Sequence, residues 1–182
     1  PAEELHLRQA LGWEQAFILL STRHWEPLYG IDVIVDAFIG AVRQVPELRL
    51  MILGEGSQRA ELLDKVSVAG LSNHVHAPGT IAGGALPSYY RSASIYVGAS
   101  HSDGTSISLL EAMACGLPAL VSDIPGNREW VVPEETGWLF EDGNADALSC
   151  KMVEAASSEG ELAKMGRRSR EIAEERGDWA VN

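Results

Sequence analysis

A doubly wound α/β fold built on a parallel six-stranded sheet is what the sequence predicts, and three observations predict it. Short apolar runs alternate with stretches of helical spacing through most of the length. Glycine or proline closes several of them, as at Pro46, Gly70, Gly116 and Pro118. No repeat or low-complexity segment breaks the alternation, which is the pattern of strands crossed over by helices.

The elements follow in order. Residues 1–15 read as a polar helical lead-in whose contact side carries Leu7, Leu11 and Trp13. Residues 16–22 are a buried strand, and 29–45 a helix with Ile31, Ile34, Val35, Phe38 and Val42 at helical spacing before Pro46. A second strand spans 48–53 and ends at Gly54-Glu55-Gly56; Ser57 is expected to cap the next helix, which bears Leu62, Leu63 and Val66 and closes at Gly70. A short strand at 74–77, a helix at 85–91 and a strand at 94–99 precede the most informative stretch, 100–118. Strands at 119–122 and 137–140 and amphipathic helices at 144–157 and 161–176 complete the chain.

At 182 residues the chain suits one domain, burying roughly 70% of its unfolded surface. No apolar run approaches the roughly 20 residues of a membrane span, and no charged-then-apolar leader opens the chain. The net charge of −12, from 26 acidic and 14 basic residues, argues against nucleic acid or an anionic membrane as partner of this surface. Cys115 and Cys150 share no metal or redox spacing and are expected to be reduced and partly buried, which suits the cytoplasm.

Residues 94–118 combine a strand, a turn of small residues and a helix stopped by Gly116 and Pro118. The first N–H groups of a helix lack intrahelical partners and its dipole favours negative charge, so the turn from Asp103 through Gly104 and Thr105 to Ser106 is the expected anion site. Asp103 and Glu111 stand eight positions apart, and Glu111 lies about 7 Å along the axis from Ser106. A ligand charged in the middle, with hydroxyls at both ends, would meet a carboxylate on each side; a nucleotide sugar has that form. The plainer alternative makes Asp103 a helix cap and Glu111 part of a solvated face. Ile107, Leu109, Leu110, Met113 and Ala114 make the helix apolar nearly all round, which predicts burial and a partner for Glu111.

With strand order 3-2-1-4-5-6, the first and fourth strands are neighbours at the switch point and the crevice opens at their carboxyl ends. Arg23 then faces the 103–106 turn by topology alone. Other signals are weaker. Gly54-Glu55-Gly56 lacks a third glycine, since Arg59 stands there, and reads as a strand-to-helix turn. His6, His24, His74, His76 and His101 have no metal spacing, although His24 and His101 lie on the loops expected to face each other. No G-x-S-x-G or other nucleophile motif is present. Glu129, near Asp123 and Gly126, reads as a helix-start residue.

The run from Asp103 to Pro118 resembles the E-G-F-G-x-x-x-L-E-A-M-A-x-G-x-P signature of the GT4 retaining glycosyltransferases of the GT-B fold. The likeness continues through Val121-Ser122-Asp123-Ile124-Pro125-Gly126-Asn127-Arg128-Glu129 and Thr136-Gly137-Trp138-Leu139-Phe140. It implies that 1–182 is the C-terminal, donor-binding half of such an enzyme, the N-terminal acceptor domain lying outside this chain. Arg23 matches the arginine that grips the donor pyrophosphate, and Tyr29 stands where the family has a lysine. Asp103 replaces the first glutamate, which contacts the transferred sugar; Thr105 and Ser106 replace the aromatic and second glycine after Gly104; Glu111 matches the ribose-binding glutamate, and Glu129 a recurrent acid. Gly79-Thr80-Ile81 matches the loop that holds the base through its backbone.

By that resemblance the reaction moves a sugar from a UDP- or GDP-sugar to an acceptor hydroxyl, on the same face, without a cofactor or essential metal. The acceptor, a carbohydrate or lipid-linked molecule, belongs to the N-terminal domain, and the full-length protein could sit at the cytoplasmic face of a membrane. The 182 residues alone are expected to bind a nucleotide without transferring a sugar. The same residues leave two alternatives: a nucleotide-sugar-binding domain that has lost catalysis, suggested by Tyr29 and Asp103, and a GT-B epimerase, which shares the architecture without the 103–118 pattern.

Overall fold

The computed structural model describes residues 2–176, which form one parallel sheet of six strands between two helical layers. In chain order they are α1 (Ala2–Leu11), β1 (Phe17–Ser21), α2 (Ile31–Ala41), β2 (Leu48–Leu53), α3 (Arg59–Val68), β3 (Val75–Gly79), α4 (Leu86–Ser92), β4 (Ile95–Gly98), α5 (Ile107–Ala114), β5 (Ala119–Ser122), α6 (Pro125–Arg128), β6 (Gly137–Phe140), α7 (Ala145–Ser157) and α8 (Glu159–Arg176). The sheet order is β3-β2-β1-β4-β5-β6, the order under which Arg23 is expected to face the 103–106 turn. β1 pairs with β2 over its whole length and with β4 through Leu19–Ile95 and Leu20–Tyr96, so the carboxyl ends of β1 and β4 lie side by side.

Side chains alternate across a strand, and β1 is buried on both sides. Phe17 and Leu19 join one core layer with Ile34 and Phe38 of α2 and Met152 of α7, whereas Ile18 and Leu20 join the other with Tyr90, Leu109, Met113 and Ile172. Leu7, Leu11 and Trp13 pack into that second layer.

Several local expectations are corrected. α2 starts at Ile31, because Pro27–Tyr29 forms a separate 3-10 turn and Gly30 takes a left-handed φ of 61° between them. Ser57 does not cap α3; its N–H and hydroxyl both donate to Glu26, and that pair of bonds holds the Glu26 carboxyl below its ordinary range. Cys150 is exposed, while Cys115 is half-buried. α5 is not buried all round: Ser108, Leu109, Ala112 and Met113 face the core, but Ile107 is 67% exposed and Ala114 is open to solvent. Among the described residues no helix is long and apolar enough to cross a membrane. The stretch Asp178-Trp179-Ala180 lies outside the described residues.

Candidate functional site

The crevice forms where the β1–α2 and β4–α5 connections meet. Gly30 permits that meeting: a methyl group there would overlap the carbonyl oxygen of Ala99, and the αL conformation itself disfavours any side chain. The His101 N–H donates to the Leu28 carbonyl at 3.0 Å and ties the two connections together. α6 closes in from the other side, with Gly126 packed against the backbone of Asp103 and Gly104.

Arg23 leaves the end of β1 and reaches the start of α5. One terminal nitrogen donates to Ser106 Oγ and Ser108 Oγ, both at 3.1 Å, and the other donates to Asp103 Oδ2 at 2.6 Å. The Arg23 and Asp103 side chains are only 14% and 20% exposed, so their mutual attraction is less screened than that of a surface pair. The guanidinium carbon sits 4.3 Å from the centre of the Tyr29 ring, a cation–π contact. Ser106 is the N-cap of α5 and accepts from the Leu109 N–H at 3.4 Å, so the first helical residue is Ile107.

Arg23 and Glu111 both line one cavity of about 320 Å³. Thr22, His24 and Tyr29 come to it from the β1–α2 connection, Leu53 and Gly54 from the end of β2, Thr80 and Ile81 from the loop after β3, Leu86 from the start of α4, and Ile107 and Ser108 from the start of α5. Such a volume lies at the lower end of small-molecule sites. Among the described lining residues Arg23 is the one permanent cation and Glu111 the one carboxylate.

Of the residues singled out from sequence, Arg23, Tyr29, Ile81 and Glu111 line this cavity. Asp103 and Ser106 lie beside it as acceptors of Arg23, and Gly104 and Thr105 form the exposed crest of the turn. His24 lies in the wall, with Nδ1 3.3 Å from the Glu55 carbonyl oxygen; His101 turns away to Asp142, at 2.7 Å. Glu129 does not reach the cavity and stands at the end of α6. Glu111 is on the open face of α5, as the plainer alternative held, yet it has a partner: the Tyr90 hydroxyl donates to its Oε2 at 2.9 Å.

Sequence reasoning placed Thr22 at the end of the first strand without giving it a role, and missed Ser108 and Tyr90 as site residues. Ser108 had a signal, a serine in the first turn of an otherwise apolar helix. Tyr90 had none, because nothing between positions 90 and 111 links them except the fold.

The chain belongs to the glycosyl transferases group 1 family, whose profile matches residues 4–172. It is 30% identical over 143 residues to the GtfA subunit of a UDP-N-acetylglucosamine–peptide N-acetylglucosaminyltransferase from Streptococcus agalactiae, covering 77% of this chain and 28% of that protein. All of the chain superposes on half of the Anabaena protein Alr3699/HepE, crystallised with UDP, with a TM-score of 0.90 at 22% identity. It also superposes on the crystal structure of the C-terminal domain of LpcC, a glycosyl transferase group 1 family protein from Francisella tularensis, with a TM-score of 0.81 at 24% identity over 91% of this chain and 87% of that one. The chain thus spans about a quarter to a half of the length of the curated relatives it matches.

Proposed function

We propose that this chain is the C-terminal, donor-binding half of a retaining glycosyltransferase of the GT4 type, taking a nucleoside-diphosphate sugar and moving the sugar to an acceptor hydroxyl. The observation that carries the reading is that Arg23 and Glu111 line one cavity, at the start of α5 and the carboxyl ends of β1 and β4. The diphosphate would rest near the N-terminal end of α5 against Arg23, where fixed N–H donors and a guanidinium stabilise the charge that develops on the leaving group. The ribose hydroxyls would bond to Glu111, and the base would lie along Thr80 and Ile81. In this reading Asp103 exchanges Arg23 for a hydroxyl of the transferred sugar.

Support comes from the family membership, from the UDP named in the Anabaena complex and from the UDP-sugar in the name of the streptococcal relative. The acceptor, a carbohydrate or lipid-linked hydroxyl, would come through a second domain, and the 182 residues alone would bind donor without transferring it. A second reading, a domain that binds the donor but has lost transfer, is favoured by one observation: Arg23 already has its counter-ion in Asp103.

Calorimetry with UDP, UDP-sugars and GDP-sugars tests the proposal. Wild type is expected to bind at least one of these series, and Glu111→Ala to bind it about ten- to a hundredfold more weakly, the range for a hydrogen bond to a charged group. Absence of binding to every nucleotide would overturn it. Transfer by the full-length protein, lost in Asp103→Ala, separates the first reading from the second.

A further inference from the structure

We infer that Tyr90 is a positioning residue of the donor site: its hydroxyl, backed by Thr22, holds the Glu111 carboxylate in the cavity and leaves Oε1 free to take the ribose hydroxyls. This rests on the donor-binding reading above.

Glu111 stands on the open side of α5, where an unrestrained glutamate would sample many rotamers. Tyr90 removes that freedom. Tyr90 is 2% exposed in the second core layer, and its hydroxyl lies 2.9 Å from Glu111 Oε2, 3.3 Å from the Ser108 carbonyl oxygen and 3.0 Å from Thr22 Oγ1, three residues that line the cavity. A phenol has one proton, and the carboxylate is both the nearer and the charged acceptor, so that proton goes to Glu111. Thr22 therefore donates to the Tyr90 oxygen. The direction of the chain is Thr22 to Tyr90 to Glu111, from the end of β1 to the middle of α5, passing through α4. Burial raises the Tyr90 pKa well above its ordinary value, so the hydroxyl stays protonated and remains a donor at any working pH.

The consequence is pre-organisation. Thr22 precedes Arg23, so the group that receives the diphosphate and the group that receives the ribose hang from one hydrogen-bonded frame. The ordering of Glu111 is completed before the ligand arrives, and binding need not supply it.

Tyr90→Phe, checked for an unchanged fold by thermal melting and circular dichroism, is compared with wild type for UDP and for 2′,3′-dideoxy-UDP. The expected result is a fivefold to tenfold loss of UDP affinity in the variant and equal affinities of the two proteins for the dideoxy compound. A role confined to packing would weaken both ligands alike, and that outcome, or no loss with UDP, overturns the inference while leaving donor binding intact. Failure of wild type to bind UDP and every other nucleoside diphosphate overturns both. Should Tyr90→Phe not fold, Thr22→Val reads the same frame: a twofold to threefold loss with UDP alone is expected, and equal loss with both ligands overturns the inference.

Discussion

The Arg23 guanidinium donates to the Asp103 carboxylate across 2.6 Å, so the permanent cation of the cavity has an anion of its own chain as its nearest charged neighbour. A diphosphate would have to share that cation or displace the carboxylate. Asp103→Asn is therefore expected to bind UDP about threefold to tenfold more tightly at low salt, with the gain shrinking near 0.5 M salt as the charges are screened. If Asp103 bonds to the transferred sugar as proposed, the same change should lower transfer by the full-length protein. Calorimetry across a salt series checks the first part; weaker UDP binding would mean that Asp103 holds Arg23 in place rather than competing for it.

Tyr29 stands where the resembled family carries a lysine, and it stacks under Arg23 instead of adding a charge. Tyr29→Lys removes a cation–π contact of about 0.5–2 kcal/mol and places a second cation in the cavity wall. The added charge should win for a ligand with two phosphates. UDP affinity is expected to rise about fivefold to tenfold. A fall would show that the ring's support of Arg23 outweighs an extra charge.

Gly30 carries the crevice's geometry in its backbone. Gly30→Ala meets both a φ of 61° and the Ala99 carbonyl, and should cost at least about 2 kcal/mol, a fall in Tm of roughly 4–8 °C for a chain of this size. UDP binding should weaken with it, because the displaced turn holds Tyr29. An unchanged melting curve would sink the claim that this close approach sets the crevice.

Burial of His76, stacked on Tyr89 with ring centres 6.1 Å apart, lowers its pKa below 6.5. His74 shifts the same way, through burial and then through Arg49. The unfolded chain therefore binds more protons than the folded one from pH 6.5 down to the folded pKa values, and stability falls on acidification through that window. Glu26 and Asp123, with pKa values lowered from 4.5 and 3.8, add their loss only at lower pH. The expected outcome is a Tm that drops between about pH 7 and 5.5, and a shallower drop in His76→Asn. Parallel pH profiles for the two proteins would contradict it.

Much of the frame was readable because it rests on local pattern. The short run Phe-Ile-Leu-Leu at 17–20 reads as a strand buried on both sides, and once the strand order sets its end beside β4, Arg23 comes to α5 without reference to any contact. Ser57 and α5 show where pattern fails. A serine before a helix looks like a cap until Glu26, 31 positions away, claims its hydroxyl and N–H. A helix rich in apolar residues looks buried until its neighbours leave Ile107 and Ala114 uncovered.

By itself the sequence determined the alternation of strands and helices and the residue types at their ends, since periodicity and turn chemistry act within a few residues. Only the tertiary structure decided which of those side chains meet. Arg23 bonds to Asp103 and stacks on Tyr29, and Glu111 is held by Tyr90, because hydrogen bonds and ion pairs depend on direction and on distances of about 3 Å. The packing of α4 and α5 on one face of the sheet sets those distances, and no spacing along the chain encodes them.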